Sequence, residues 1–521
     1  MPPTSGSSHT TTATQTPDAM IPDDLVAMLI AEHCGHNRPA HQRLWDYYRN
    51  ELDFDAGDCH RPYSAAQQQG LPARLTCAPQ QATRTVDLGS TRREVVIEND
   101  IAWRIHALVD FMFGKPPAIQ SCADDPDTAR AVERVLAAVF EANGGLCLFQ
   151  DMALLGSVYG FVDVMLRADR LPRHVFSRTS SDGPAAGIDP DRAPASKPPH
   201  IERAIRFASQ LVLETVEAPR AIPVLDPSDY RRLVGYVLHY TQVLNEVDHT
   251  SFLARLVDAT GRRRGRQATI DVTEVWTAES VRIYHDGELI SDTPHTLGRL
   301  PLVHIQNLPQ PFYYEGLSEV EPLIPLQDEL NTRLSDRANR VTMQSFKMYL
   351  GKGIEAFTER PIAPGQMWQT DNEKASIEEF GGDADAPSEQ AHIDEIREAM
   401  DKTSAVTGVA AGLLRNKVGN LTSENALRIV MMGLLAKTEK KRITYGGGIQ
   451  KIAELVLHTL DIAGLLRTTP DQRRIRLHWP SPLPENTTQR LEDARLKLEL
   501  GVPREQILAE LGYGACEAVS G

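Results

Sequence analysis

Residues able to do chemistry are few in this chain, and they are scattered. His33, Cys34 and His36 form the run HCGH, and Cys59 precedes His60. Such side chains can hold zinc, but this spacing matches no standard finger. The acidic pairs Asp124–Asp125 and Glu378–Glu379 could share acid–base work, yet both fall in turn-rich, solvated stretches. His458 lies beside the apolar face of a helical segment, where histidine is more often structural than a base. The sequence has no G-x-x-x-x-G-K-[ST], H-E-x-x-H or G-x-S-x-G, and no G-x-G-x-x-G after a strand. No cofactor or metal is expected. The segment that stands apart is TGVAAGLLRNKVGNL (407–421). Gly408, Gly412 and Gly419 give it conformational freedom. Leu413 and Leu414 make it apolar, and Arg415 and Lys417, on either side of Asn416, are its only charges.

A loop with that composition needs strong elements to hold it. Upstream, Glu389–Val406 reads as helix, with Ile393, Ile396, Met400 and Thr403 as a narrow stripe and Glu395, Glu398 and Asp401 outside it. Downstream, Thr422 caps a helix that can run from Ser423 to Gly464, with a kink expected at Gly446–Gly447–Gly448. Before the first of these, Ser318 and Glu321 form a capping box. Pro322 and Pro325 disturb the opening turns, so regular helix is expected near Leu326. Lys347–Phe380 breaks into short strands and turns. One apolar residue per turn buries little, so helices this thinly apolar need neighbours, other subunits among them.

The first half reads differently. Asp23–His33, Arg38–Leu52, Val95–Phe113, Asp127–Ala142 and Leu146–Gly156 have helical patterning. Gly160–Leu166, Ile201–Glu217, Tyr230–Gln242, Thr269–Thr277 and Val281–Tyr284 are β-like, and HDGEL (285–289) supplies a hairpin turn. The N-terminal MPPTSGSSHTTTATQTPD, the loop Gly70–Ser90 and the Pro/Gly/Ala-rich insertion Ser180–His200 read as irregular or mobile.

At 521 residues, the chain is too long for one ordinary core. Its six cysteines include no C-x-x-C, which fits a reducing cytoplasm. No apolar run is long enough to span a membrane. The net charge of −15 lacks the basic footprint of a sequence-specific DNA binder. Either nucleic acid is not a partner, or the contact must not stick.

NDIAWRIHALVDFMFGKPPAI (99–119), LGSVYGFVDV (155–164), LGRLPLVHIQN (297–307), EGLSEVEPLIPLQDELNTRLSDRAN (315–339) and the helix–loop–helix around TGVAAG and LTSENALRI occur in an order that resembles portal proteins. These are the head-to-tail connectors of tailed double-stranded DNA phages, here of the long-tailed siphophage type. The ordered series carries the resemblance, which spans roughly residues 37–514; no single motif does.

The resemblance implies an α+β multi-domain portal fold assembled as a ring, usually of about twelve subunits. The parts would be a tail (1–20), a mixed α/β wing (21–316), a first stem helix (317–345), a small α/β clip (346–388), a second stem helix (389–406), a tunnel loop (407–421), a long kinked helix (422–464) and a helical crown (465–521). DNA would slide past an acidic wall that includes Glu395, Glu398 and Asp401, while Arg415 and Lys417 touch its backbone weakly and without reading bases. Phe357, Met367 and Trp368 would serve the clip as core or docking surface. The implied partners are double-stranded DNA, the terminase large subunit, a head-completion or adaptor protein, and the major capsid and scaffolding proteins, with no membrane. The implied role is structural, in the virion, after assembly in the host cytoplasm. Two other readings predict different particles: a metal-dependent nucleic-acid-processing enzyme, and a monomeric virion scaffold or adaptor.

Overall fold

A computed structural model describes residues 21–50, 96–167, 199–244, 268–295, 297–345, 348–352, 374–380, 387–411, 428–483, 487–502, 504 and 507. In chain order these form α1 (Asp23–Glu32), α2 (Arg38–Arg49), α3 (Ala102–Phe113), β1 (Ala118–Ser121), α4 (Pro126–Ala142), α5 (Leu146–Tyr159), β2 (Phe161–Arg167), α6 (Pro199–Ala208), β3 (Val212–Val216), β4 (Ala221–Asp226), β5 (Asp229–Leu244), β6 (Ala268–Trp276), β7 (Ser280–His285), β8 (Glu288–Pro294), β9 (Leu302–Gln306), α7 (Ile324–Ser345), β10 (Met348–Lys352), β11 (Ser376–Phe380), α8 (Pro387–Ser404), α9 (Met432–Ile462), β12 (Ile475–His478) and α10 (Thr487–Glu499). The class is mixed helix and sheet. No described helix is long and apolar enough to cross a membrane.

The main core forms where α3, α4, α5 and α9 enclose the antiparallel sheet β3-β2-β9. β2 is its central strand, buried along nearly its whole length, and so reads as a continuous apolar run. The interruption, Asp163, is fully buried and accepts hydrogen bonds from Tyr236 Oη (2.7 Å) and Tyr314 Oη (2.9 Å), with His304 Nδ1 2.7 Å away. A second sheet, β4-β5-β6-β7-β8, is an antiparallel meander. Val26 of α1, with the preceding Ile21, packs on Val224, Val237 and Val275 of this sheet. Its β7–β8 turn uses Asp286 (φ 49°) and Gly287 (φ 85°), the two left-handed residues that a tight hairpin demands.

Several expectations change. Val96–Asn99 is neither helix nor strand, Asp100–Ile101 is a turn, and helix begins only at Ala102. The backbone there is drawn off by a ladder on α7. Val96, Glu98 and Asp100 N–H donate to Ser335 Oγ (3.0 Å), Asn331 Oδ1 (3.1 Å) and Gln327 Oε1 (3.1 Å). Every second residue of 96–100 thus meets every fourth residue of α7, a step of ~6 Å along the helix. The stretch expected as strand over Ile201–Glu217 is α6 followed by β3, and α6 begins at Pro199, inside the expected insertion. α1 and α2 run together through one π turn, His33–Asn37, and α2 stops at Arg49, where Asn50 is left-handed (φ 54°). α7 starts at Ile324 after a 3-10 turn, Glu321–Leu323.

The long helix α9 continues unbroken through Gly446–Gly447–Gly448. Close packing explains one of these glycines. A Cβ on Gly448 would lie 2.3 Å from Ile305 Cδ1, whereas one on Gly446 would make only ordinary contact with Trp479 (3.6 Å) and one on Gly447 meets nothing within 4 Å. The tail 1–20, the loop 70–90, Cys59, His60 and most of the insertion lie outside the described residues.

Candidate functional site

The helices α7 and α8 pair Arg340 with Glu389, Arg337 Nη1 with Gln390 Oε1 (2.7 Å) and Glu329 with His392 (3.7 Å). Positions rise along one helix as they fall along the other, so the rods are antiparallel. At their far end β10 and β11 pair antiparallel, Met348 opposite Phe380. The α8 stripe Ile393, Ile396 and Met400 is buried as its spacing predicts. Thr403 faces out, and Ser404 takes the buried place in the last turn. α7 buries more than leucines: Gln327, Asp328, Asn331, Thr332 and Ser335 are all inside. Burial pushes the Asp328 carboxyl up to about 6, although the hydrogen bond from Tyr47 Oη (2.8 Å) and the charge of Arg43 pull it down.

The three acids read from the sequence occupy two environments. Glu395 and Glu398 stand on the outer face of α8, their side chains 76% and 68% exposed. Lys402 sits 3.4 Å from Glu398 on the same face. Asp401 points the other way, 2.5 Å from Nη2 of Arg104, a side chain buried on α3. Arg104 also holds Asp100 at 2.8 Å and lies 4.3 Å over the Trp103 ring. Asp401 therefore ties α8 to the core.

Beyond α8 the chain turns sharply. Ala405 is left-handed (φ 58°), and Ser404 Oγ accepts from Val406 N–H (3.2 Å). Gly408–Ala411 is a 3-10 turn in which Gly408 is half-buried. Both roots of the loop rest on one helix. Val406 and Ala410 before it, and Leu434 after it, pack on Ala107 and Leu108 of α3. Gly412, Leu413, Leu414, Arg415, Asn416, Lys417 and Gly419 lie outside the described residues, as do Phe357, Met367 and Trp368.

A buried ion cluster under the loop roots escaped the sequence reading. Glu319, 4% exposed, lies 2.7 Å from Lys437 Nζ and 3.1 Å from Lys441 Nζ, both on α9. Lys437 Nζ also donates to Ser404 O (2.6 Å), the carbonyl end of α8, where a cation suits the helix dipole. Lys441 Nζ donates to Ser157 Oγ (2.9 Å) on α5, and Glu319 N–H to Ser157 O (2.8 Å). Burial pushes Glu319 up, but Lys441 and Lys437 outweigh it and hold the carboxyl below its ordinary range. Burial lowers Lys441 despite Glu319. The signal was available: Leu434, Thr438, Lys441, Tyr445, Ile449 and Ile452 recur at helical spacing, so Lys441 lies within the apolar stripe.

Among the described residues no group of three or more His, Cys, Asp or Glu is placed to hold a metal. His33 Nε2 lies 2.9 Å from Pro219 O, and burial lowers its pKa. His458 is wedged between Leu297 O (3.2 Å) and Arg473 Nη1 (3.1 Å), a packing role.

Residues 208–512 match the family model described as phage portal protein, SPP1 Gp6-like. No curated protein matches the chain by sequence. Among solved structures, a chain from the neck of an empty GTA particle computed with C6 symmetry is similar at 12% identity. Its TM-score is 0.40, over 80% of this chain and 90% of that one. A chain from the virion of a native gene transfer agent particle is similar at 12% identity, TM-score 0.34, over 78% of this chain and 99% of that one.

Proposed function

The chain belongs to the phage portal proteins of the SPP1 Gp6-like family, and we propose that about twelve copies ring one capsid vertex and form the channel through which double-stranded DNA is packaged and ejected. The observation that carries this reading is the pair of antiparallel rods α7 and α8, joined at one end to the β10–β11 ladder and at the other to a loop pinned at both roots on α3. In this reading residues 21–316 form the wing, 346–388 the clip, 407–421 the tunnel loop and 465–521 the crown. The clip, with Phe357, Met367 and Trp368, docks terminase and later the adaptor, while capsid and scaffolding proteins meet the outer ring.

A conduit must not hold its cargo. At −15 per copy, a dozen copies carry roughly 180 excess negative charges, which repel phosphate. Glu395 and Glu398, exposed on α8, are the wall acids we assign. Asp401 serves instead as a tether through Arg104. Arg415 and Lys417 supply the loop's weak, base-independent contact.

The first test is the mass of the purified particle with a negative-stain image. A ring with a central hole is expected, whereas a lone 57.7 kDa particle refutes the proposal. Arg415→Ala with Lys417→Ala is expected to spare ring assembly and alter packaged DNA length or its retention. Unchanged length and titre would remove the loop's assigned role.

A further inference from the structure

The five-stranded sheet leaves part of one edge unused. β4 pairs with β5 only from Asp226↔Asp229 to Ala221↔Leu238. On the other side β5 stays paired with β6 as far as Leu244↔Ala268. From His239 to Leu244, therefore, β5 has a neighbour on one side and, among the described residues, no strand on the other. The chain leading into β4 does not continue alongside; it turns off as a 3-10 segment, Ala218–Arg220.

A cleft of about 490 Å³ opens at this vacated edge, with α2 as its opposite wall. Its charge is one-sided. Arg38 and Arg49 project from α2 and Arg220 from the 3-10 turn, against a single lining carboxylate, Glu217. Among the described residues no hydrogen bond or ion pair engages Arg38. Arg220 stacks 4.3 Å over the Tyr240 ring and lies 3.6 Å from Glu214, yet its Nε–H is buried without an acceptor. Trp45, stacked on Tyr159 with ring centres 5.9 Å apart, adds an apolar wall. The chain as a whole carries −15, so three arginines lining one cleft run against its overall charge.

We propose that this cleft binds an extended acidic segment of a partner protein by strand addition to β5, along the line that β4 leaves. An unpaired edge offers alternating N–H and C=O groups, and an added strand satisfies them on both sides. Six residues of edge accommodate ~20 Å of extended chain. The arginines fork onto carboxylates on one face of that strand, with the planar two-bonded geometry that favours Arg over Lys. Tyr240 and Trp45 receive its apolar side chains. A compact anion such as phosphate would use the arginines and leave the edge unpaired, so the edge argues for a peptide. The site lies on the wing and does not depend on whether copies close into a ring.

The probe is a dye-labelled six-residue peptide alternating glutamate and valine, titrated against the full-length protein by fluorescence anisotropy. Saturable, salt-sensitive binding is expected. Methylating alternate backbone nitrogens, chosen in both registers, should weaken binding at least tenfold in one register and little in the other. Arg38→Glu with Arg49→Glu, both on the exposed side of α2, should weaken it at least tenfold with particle mass unchanged. Absence of binding overturns the proposal. Equal affinity of both methylated peptides removes strand addition, and competition by equimolar inorganic phosphate reduces the cleft to a simple anion site; either result overturns it.

Discussion

Replacing Glu319 with glutamine exchanges one carboxylate oxygen for an amide nitrogen and should be felt where α5, α8 and α9 meet. The carboxylate is 4% exposed and lies within 3.1 Å of two ammonium groups, and one of these, Lys441, is 1% exposed. Glu319→Gln leaves Lys441 facing only Ser157 Oγ and an amide. Removing one partner of a buried pair typically costs about 3–5 kcal/mol. Lys437 limits the loss, because it is 14% exposed and keeps Ser404 O. At roughly 2 cal/mol/K per residue, a chain melting as one unit should lose about 3–5 °C. The pH dependence is more telling than the size. Glu319 has a depressed folded pKa, so its stabilisation is present above the unfolded value and is lost as pH falls through the folded one. Lys441 is also depressed, so folding disfavours its charge and stability rises as pH climbs towards the unfolded value of about 10.4. The deficit of Glu319→Gln is therefore greatest near neutrality and shrinks on both sides. Scanning calorimetry of both proteins from acid to alkaline pH measures it. A deficit under 1 °C at neutral pH, or one constant across the range, would refute the reasoning. Adding Lys441→Met to the variant should restore most of the loss, since an apolar side chain removes the stranded charge.

Gly447→Ala and Gly448→Ala should move in opposite directions although they are adjacent. The first adds a methyl to open space and should stabilise α9 by about 0.5–1 kcal/mol; the second drives a methyl into buried Ile305 and should cost about 1–3 kcal/mol, both read by urea titration. Asp328→Asn should be more stable than the parent at pH 7–8, by up to about 3 kcal/mol. The raised carboxyl favours the protonated folded form, so the parent loses stability as pH rises from the unfolded value to about 6. Equal stability–pH profiles over pH 4–7 would contradict that assignment.

Periodicity made the rods legible. Ile393, Ile396 and Met400 stand on the buried side of α8, and the turn Asp286–Gly287 falls where HDGEL puts it. Reading failed where a distant partner decides local structure. Ile97 falls in helical step with Ile101 and Ile105, but Gln327, Asn331 and Ser335, more than 200 positions away, take the backbone groups of 96–100. The triple glycine suggested interruption by propensity alone, and only Ile305 shows why one of them, Gly448, must be small. Charge told least about direction. Asp401 is one turn from Glu398, yet one side chain meets solvent and the other meets Arg104.

The ladder between 96–100 and α7 has a mechanical meaning, because its rungs are a helical turn apart and differ in length. Sliding the rod one turn in one direction brings Leu323, which has no polar side-chain group, to the place of Gln327. Sliding it the other way sets Asn331 where Gln327 reached and Ser335 where Asn331 reached, each side chain one bond shorter than the gap it must close. Spinning the rod by one residue presents Leu326, Leu330 and Leu334 to the ladder, or in the opposite sense pulls Asp328 from Tyr47. The ladder thus keys α7 to the body of the molecule in both translation and rotation, as a spline fixes a shaft.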